Sequence, residues 1–113
     1  MKLLALAVIT LSTLFTTGCG TSPLDACKGR VAADCKKMWS CPGVSVKLGN
    51  DEASCTSSGE ALCTLATSGT CKNGPYDTAA TTGCTADIQA ASCEQYTAGT
   101  FAMANCDKST CEL

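Results

Sequence analysis

The sequence predicts a small all-α domain in which disulfide bonds staple three to four short helices, with turn-rich connections between them. Ten cysteines are spread evenly from Cys27 to Cys111, a content typical of exported disulfide scaffolds. From Gly20 onward only fifteen large apolar side chains remain, so the core is too thin to hold without covalent support. Apolar residues recur at spacings of three and four in several segments, which indicates helices.

Residues 1–18 have the pattern of a signal peptide. Lys2 is followed by an apolar run from Leu3 to Phe15. This run is shorter than the ~20 residues that cross a bilayer and fits the apolar region of a secretory signal. We therefore divide the chain into a signal peptide (1–18), a short tether (19–22) and a cysteine-rich domain (23–113).

The run Thr16-Thr17-Gly18-Cys19 resembles the lipobox of bacterial lipoproteins, in which the cysteine is acylated and becomes the mature N-terminus. The resemblance implies a lipid on Cys19. Because Gly20 and Thr21 follow, rather than an acidic residue, it also implies the outer membrane. Setting Cys19 apart leaves an even number of cysteines. The alternative is ordinary signal cleavage one or two residues later, with Cys19 discarded or left as an odd thiol.

The first helix is expected to begin at Ser22-Pro23, because serine is a good N-cap and proline is well tolerated at the first helical position. Trp39 should end it as a core anchor. One face of this helix is apolar: Leu24, Cys27, Val31, Cys35 and Met38. Four basic residues lie mostly off that face and are interpreted as a solvated surface rather than a membrane-proximal patch: Lys28, Arg30, Lys36 and Lys37.

A short strand is expected at 44–48, where apolar and polar residues alternate. A second helix should start at 50–52, where Asn50, Asp51 and Glu52 supply a cap and acids near the helix N-terminus. It carries Cys55 and Cys63, and Gly59 weakens its middle.

A third helix is expected from about Thr78 to Ala91, with Cys84 and Ile88 on one face. Ser92 and Gln95 then form the pattern of a capping box, which predicts a short helical turn ending near Gly99. Three later residues should return to the core: Phe101, Met103 and Cys106.

The run from Gly83 to Tyr96, with its Ala-Ser-Cys break at 91–93 and the later Gly99 and Cys106, resembles small cysteine-rich lipoproteins of predatory Gram-negative soil bacteria. That resemblance implies an all-helical, disulfide-stapled surface domain of largely unassigned function. It transfers no catalytic residue to this chain.

Structural disulfides are the chemistry that the cysteine spacing favours. Metal sites and thiol–disulfide catalysts typically use Cys-x-x-Cys, whereas the closest pair here is Cys106 and Cys111. The predicted disulfide cysteines are Cys27, Cys35, Cys41, Cys55, Cys63, Cys71, Cys84, Cys93, Cys106 and Cys111.

Helix geometry restricts how these cysteines can pair. Cys27 and Cys35 are eight residues apart, ~12 Å along one helix, and a disulfide requires Cα atoms within ~7 Å. These two cannot pair with each other, and the same holds for Cys55 and Cys63. The remaining connectivity stays open.

The sequence predicts no catalytic residue, metal site or cofactor. It contains no histidine, which excludes Ser-His-Asp and Cys-His catalysis and His-ligated metals. The net charge of −2 argues against nucleic-acid binding. Asp34, Asp87 and Glu94 are candidate carboxylates, interpreted as solvated surface charges because they are scattered singly.

We therefore expect a non-enzymatic, lipid-anchored envelope protein with a structural or protein-interaction role. Its partners would be the membrane, through the N-terminal lipid, and an envelope protein that the sequence does not identify. The alternative is a secreted or periplasmic effector or inhibitor that binds another protein through the loops Pro42–Asn50 or Thr67–Pro75.

Overall fold

A computed structural model describes residues 21–69 and 71–112. In these ranges the chain forms five helices and no β-strand. The helices are α1 (Pro23–Ser40), α2 (Glu52–Ser68), α3 (Thr78–Ala90), α4 (Cys93–Ala98) and α5 (Ala104–Lys108). The predicted disulfide-stapled all-α class is confirmed, with one helix more than expected. The predicted signal peptide and Cys19 lie outside the described residues.

Side-chain caps start the helices where the sequence predicts them. Ser22 accepts a hydrogen bond from the backbone N–H of Asp25 at 3.2 Å, and Pro23 occupies the first position of α1. Asp51 caps α2 by accepting from the N–H of Ser54 at 2.7 Å. These caps satisfy backbone donors that have no partner within a helix.

The short helix α4 also follows its predicted signals. Ser92 and Gln95 form a reciprocal capping box. Gly99 ends the helix in the left-handed conformation, with φ 66°, which glycine adopts without a steric penalty.

The long helix α1 lies at the centre of the fold, packed against α2 on one side and α3 on the other, and α5 packs against α3. The buried core beside α1 consists of Ala33, Cys84, Ile88 and Cys106, with Tyr96 and Phe101 packed against it. The rings of Tyr96 and Phe101 are stacked with centroids 6.0 Å apart. Because this core is small, the disulfides carry much of the stabilisation.

Five disulfide bonds connect the elements. Two join α1 to α2, and the other three hold the second half of the chain together and to α1. The pairs are Cys27–Cys63, Cys35–Cys55, Cys41–Cys93, Cys71–Cys111 and Cys84–Cys106. No bridge joins Cys27 to Cys35 or Cys55 to Cys63, so the prediction from helix rise is confirmed.

The expected strand at 44–48 is wrong. Residues 44–47 have no regular secondary structure, and side chains of α1 hold the segment instead of a neighbouring strand. The indole Nε1 of Trp39 donates to the carbonyl oxygen of Leu48 at 3.0 Å, and the N–H of Leu48 donates to Met38 Sδ at 3.0 Å. The alternation of residue types is not enough for a strand when no second strand is available to pair.

Two residues expected in the core lie elsewhere. Trp39 is only half-buried; it fixes the loop after α1, and Lys47 Nζ lies 5.0 Å from its ring centroid. Met103 is 40% exposed. The basic residues of α1 are also not all solvated, since Lys37 Nζ donates to the carbonyl oxygen of Ala91 just past the C-terminus of α3, where a cation is favourable.

Candidate functional site: an apolar groove between α1 and α2

Helices α1 and α2 form a closely packed antiparallel pair. The Cα atoms of Cys27 and Cys63 are 5.7 Å apart, and those of Cys35 and Cys55 are 5.8 Å apart. Midway between the bridges, Val31 faces Gly59 so closely that a Cβ atom at Gly59 would lie 2.3 Å from Val31 Cγ1. Gly59 therefore allows the approach that both disulfides require.

A groove of about 540 Å³ runs along this helix pair, a size within the range of ligand sites, about 300–1,000 Å³. Its lining is mostly apolar. The side chains that define it are Val31, Met38, Leu48, Leu62, Ala66 and Tyr76. The C-terminal tail closes one end, because Thr110 and Cys111 also line the groove.

A connection after α2 holds that tail in place. The N–H of Lys72 donates to the carbonyl oxygen of Glu112 at 2.7 Å, and Asn73 Nδ2 donates to the carbonyl oxygen of Thr110 at 2.7 Å. The Cys71–Cys111 disulfide joins the same two segments. Part of the predicted binding loop at 67–75 therefore has a structural role, because it holds the C-terminal segment against the helix pair.

A polar cluster of Arg30, Asp34, Tyr96 and Ser109 lies beside the apolar part of the groove. Arg30 Nη1 donates to Ser109 Oγ at 2.5 Å, and Arg30 Nε lies 3.7 Å from Asp34 Oδ2. The Tyr96 hydroxyl donates to Asp34 Oδ1 at 3.2 Å. These groups partner one another, so the cluster ties α1 to α4 and to the end of α5. The interpretation of Arg30 as a solvated surface residue is wrong.

The environment of this cluster shifts two pKa values. Burial raises the pKa of Asp34, although the nearby Arg30 and the hydrogen bond from Tyr96 act in the opposite direction. Burial and the neighbouring Asp34 raise the pKa of Tyr96 to about 12. The protonated phenol is therefore favoured even more than in an ordinary tyrosine, and in this form it donates to Asp34.

The three candidate carboxylates are not brought together. Asp34 belongs to the polar cluster, Asp87 accepts a hydrogen bond from Asn105 Nδ2 at 3.1 Å, and Glu94 is exposed in the first turn of α4. Over residues 21–69 and 71–112 there is no group of three or more Cys, Asp or Glu residues placed to hold a metal ion. The ten predicted disulfide cysteines are all paired.

The rim of the groove exposes large apolar side chains. Leu62 and Leu65 of α2 are 62% and 60% exposed, and Leu48 is 61% exposed. Single exposed apolar residues are common on proteins, but Leu62 and Leu48 border the same cavity. None of the described helices is long and apolar enough to span a membrane.

The groove was not anticipated from the sequence, although a signal for it exists. Seven residues separate Cys27 from Cys35, and seven also separate Cys55 from Cys63. Val31 lies at the midpoint of the first segment and Gly59 at the midpoint of the second. Two equal spacings on neighbouring helices can be bridged twice in either a parallel or an antiparallel register, and both registers place the small residue opposite the large one.

Comparison with protein-family models, with curated proteins and with solved structures finds no match to this chain.

Proposed function

We propose that this protein is a non-enzymatic, lipid-anchored envelope protein that acts by binding or by shaping the envelope surface. The observation that carries the proposal is the bridged α1–α2 pair, which presents an apolar groove and exposed leucines on a disulfide-fixed support. The polar groups beside the groove already partner one another. A preformed apolar surface favours binding because little conformational entropy is lost on association.

The lipid anchor is supported by the cysteine count and by the run Thr16-Thr17-Gly18-Cys19. All ten cysteines after Cys19 are used in bridges, so the five bridges account for the even number of cysteines that remains when Cys19 is set apart. Five disulfides also fit an oxidising compartment outside the cytoplasm.

The test of the anchor is the full chain expressed in a Gram-negative host, with Cys19→Ala beside the unchanged protein and Thr21→Ala as the matched control. We expect the unchanged protein and the control to fractionate with membranes and to show an acyl mass increase on intact-mass analysis. Cys19→Ala should lose both properties. Unchanged processing and membrane association of Cys19→Ala would refute the anchor.

The non-enzymatic part of the proposal has its own test. A reproducible turnover by the purified protein that disappears in Asp34→Asn, Asp87→Asn or Glu94→Gln, with the fold retained by circular dichroism, would overturn it. Cross-linking in cells to a specific envelope protein would support a binding role, and an absence of cross-links would favour a role in shaping the envelope surface.

A secreted effector or inhibitor is the second candidate, and the loop 42–50 favours it. Val46 is 77% exposed in this loop, while the Cys41–Cys93 bridge and the Trp39–Leu48 hydrogen bond fix the loop at both ends. Small disulfide-rich proteins can present a rigid loop of this kind to another protein. Release of the mature protein into the medium, without an acyl group, would favour this candidate over the lipid-anchored one.

A further inference from the structure

The outward face of α2 carries no charge over most of its length. Its exposed residues after Glu52 are Ala53, Ser57, Ser58, Ala61, Leu62, Thr64, Leu65 and Ser68. The only other charged residue of the helix, Glu60, is half-buried. A helix face turned to water normally carries charged side chains, so this surface, which we name the outer α2 face, differs from an ordinary solvated one.

The two large apolar residues of this face lie near the end of the helix pair at which the chain enters α1. Leu62 is next to Cys63, and the Cys27–Cys63 bridge holds the Cα atoms 5.7 Å apart. Cys27 is four residues after Pro23, the first residue of α1, which is ~6 Å along the helix axis. The leucines are therefore fixed beside the first turns of α1.

The anchor point is close to the same end. Only Gly20, Thr21 and Ser22 separate Cys19 from Pro23, and three extended residues reach ~10 Å. If Cys19 carries a lipid, the first turn of α1 stays near the bilayer. Leu62 and Leu65 are then held close to the membrane surface, so their contact with it is favoured in the same way as the second binding step of a linked pair.

We propose that the outer α2 face seats on the bilayer surface, with Leu62 and Leu65 inserted at the boundary between headgroups and acyl chains. The proposal rests on the proposed function, because it requires the lipid on Cys19. Apolar helix faces enter this boundary by ~5–10 Å, and a face without charges can do so without desolvating an ion. We assign the bilayer, and not a soluble protein, as the partner of the outer α2 face because the short tether already holds this face at the membrane.

This seating also sets the orientation of the domain. Because α1 lies between α2 and α3, contact of the outer α2 face with the bilayer turns α3 and α5 away from it. Met103, at the start of α5 and 40% exposed, would then point away from the acyl chains and supplies a matched reference position.

The test uses the full-length lipidated protein in vesicles of phosphatidylethanolamine and phosphatidylglycerol with brominated acyl chains, which quench tryptophan at short range. Leu65→Trp is compared with Met103→Trp, and the signal of Trp39 is subtracted using the unsubstituted protein. We expect the added tryptophan at position 65 to lose fluorescence relative to unbrominated vesicles, while the one at position 103 does not. Equal quenching at both positions, or none at position 65, would overturn the proposal.

Intact mass and co-sedimentation of the same samples separate the two possible failures. Acylated, vesicle-bound protein without quenching at position 65 refutes the seating and leaves the anchor standing. Protein that is neither acylated nor vesicle-bound refutes both. A photo-cross-linking residue in place of Leu65 gives the same decision in cells: a phospholipid adduct supports the seating, and an adduct to a protein or to a second copy of this chain contradicts it.

Discussion

The close packing of α1 on α2 predicts that Gly59→Ala destabilises the protein, although the same change usually stabilises a helix. At an exposed helical position it is worth up to ~1 kcal/mol in favour of alanine. At Gly59 the new Cβ would lie 2.3 Å from Val31 Cγ1 and 3.0 Å from Val31 Cγ2. Valine has one strongly preferred rotamer in a helix, so the side chain cannot turn away.

The helices cannot separate either, because a disulfide lies one turn to each side of the contact, at Cys55 and Cys63. Overpacking of this kind costs ~1–3 kcal/mol. After subtraction of the helix-propensity gain, we expect the free energy of unfolding to fall by about 1 kcal/mol in Gly59→Ala.

Denaturant unfolding of the oxidised protein, followed by circular dichroism, measures this difference. Gly29→Ala is the matched control, since Gly29 lies in the interior of α1 and an added Cβ meets nothing within 4 Å; it should gain up to ~1 kcal/mol. In a Val31→Ala background the two shortest contacts are removed and the Cβ of residue 31, at 3.3 Å, remains, so Gly59→Ala should be less destabilising than in the unchanged background. Equal stabilisation by Gly29→Ala and Gly59→Ala in the unchanged background would refute the reasoning.

Three further outcomes are expected. The pKa of Tyr96, raised to about 12 from the ordinary tyrosine value of ~10, gives stability that is fully present below ~10 and is lost as pH rises through about 12. Urea midpoints should therefore fall between about pH 10 and about pH 12, and less steeply in Tyr96→Phe; identical slopes would contradict this. Replacing both Cys84 and Cys106 by alanine removes a disulfide between residues that are 22 positions apart in the sequence. The free energy of unfolding should fall by about 3 kcal/mol, and a fall below about 1 kcal/mol would show that the bridge adds little. Thiol labelling of the denatured, unreduced protein should find no free sulfhydryl among the cysteines after Cys19, and labelling at any two positions would disprove the disulfide framework.

The helix starts could be predicted from the sequence because their signals are local. Ser22, Asp51 and Ser92 each act on a backbone group three residues later, so a short window contains cause and effect. The sequence does not predict α5 because such a local signal is absent there: the helix has five residues, and its N-cap, Met103, makes no side-chain capping hydrogen bond.

The groove and the disulfide pairing depend on contacts between distant residues, which local patterns do not specify. The exclusion of Cys27–Cys35 and Cys55–Cys63 followed from helix rise alone. The pairs that do form between these helices depend on the direction and register in which α1 packs against α2, which local patterns do not specify. Trp39 is predicted to be a core anchor, but its indole N–H needs a partner, and the Leu48 carbonyl oxygen at the surface supplies one.

The connectivity of the five bridges determines the order in which the chain can complete its oxidation. Cys35–Cys55 is nested inside Cys27–Cys63, and Cys84–Cys106 is nested inside Cys71–Cys111; Cys41–Cys93 alone links the two nests. A chain that reaches an oxidising compartment N-terminus first can close the first nest as soon as Cys63 arrives. Cys41 then waits as an unpaired thiol until a further thirty residues have crossed and Cys93 appears.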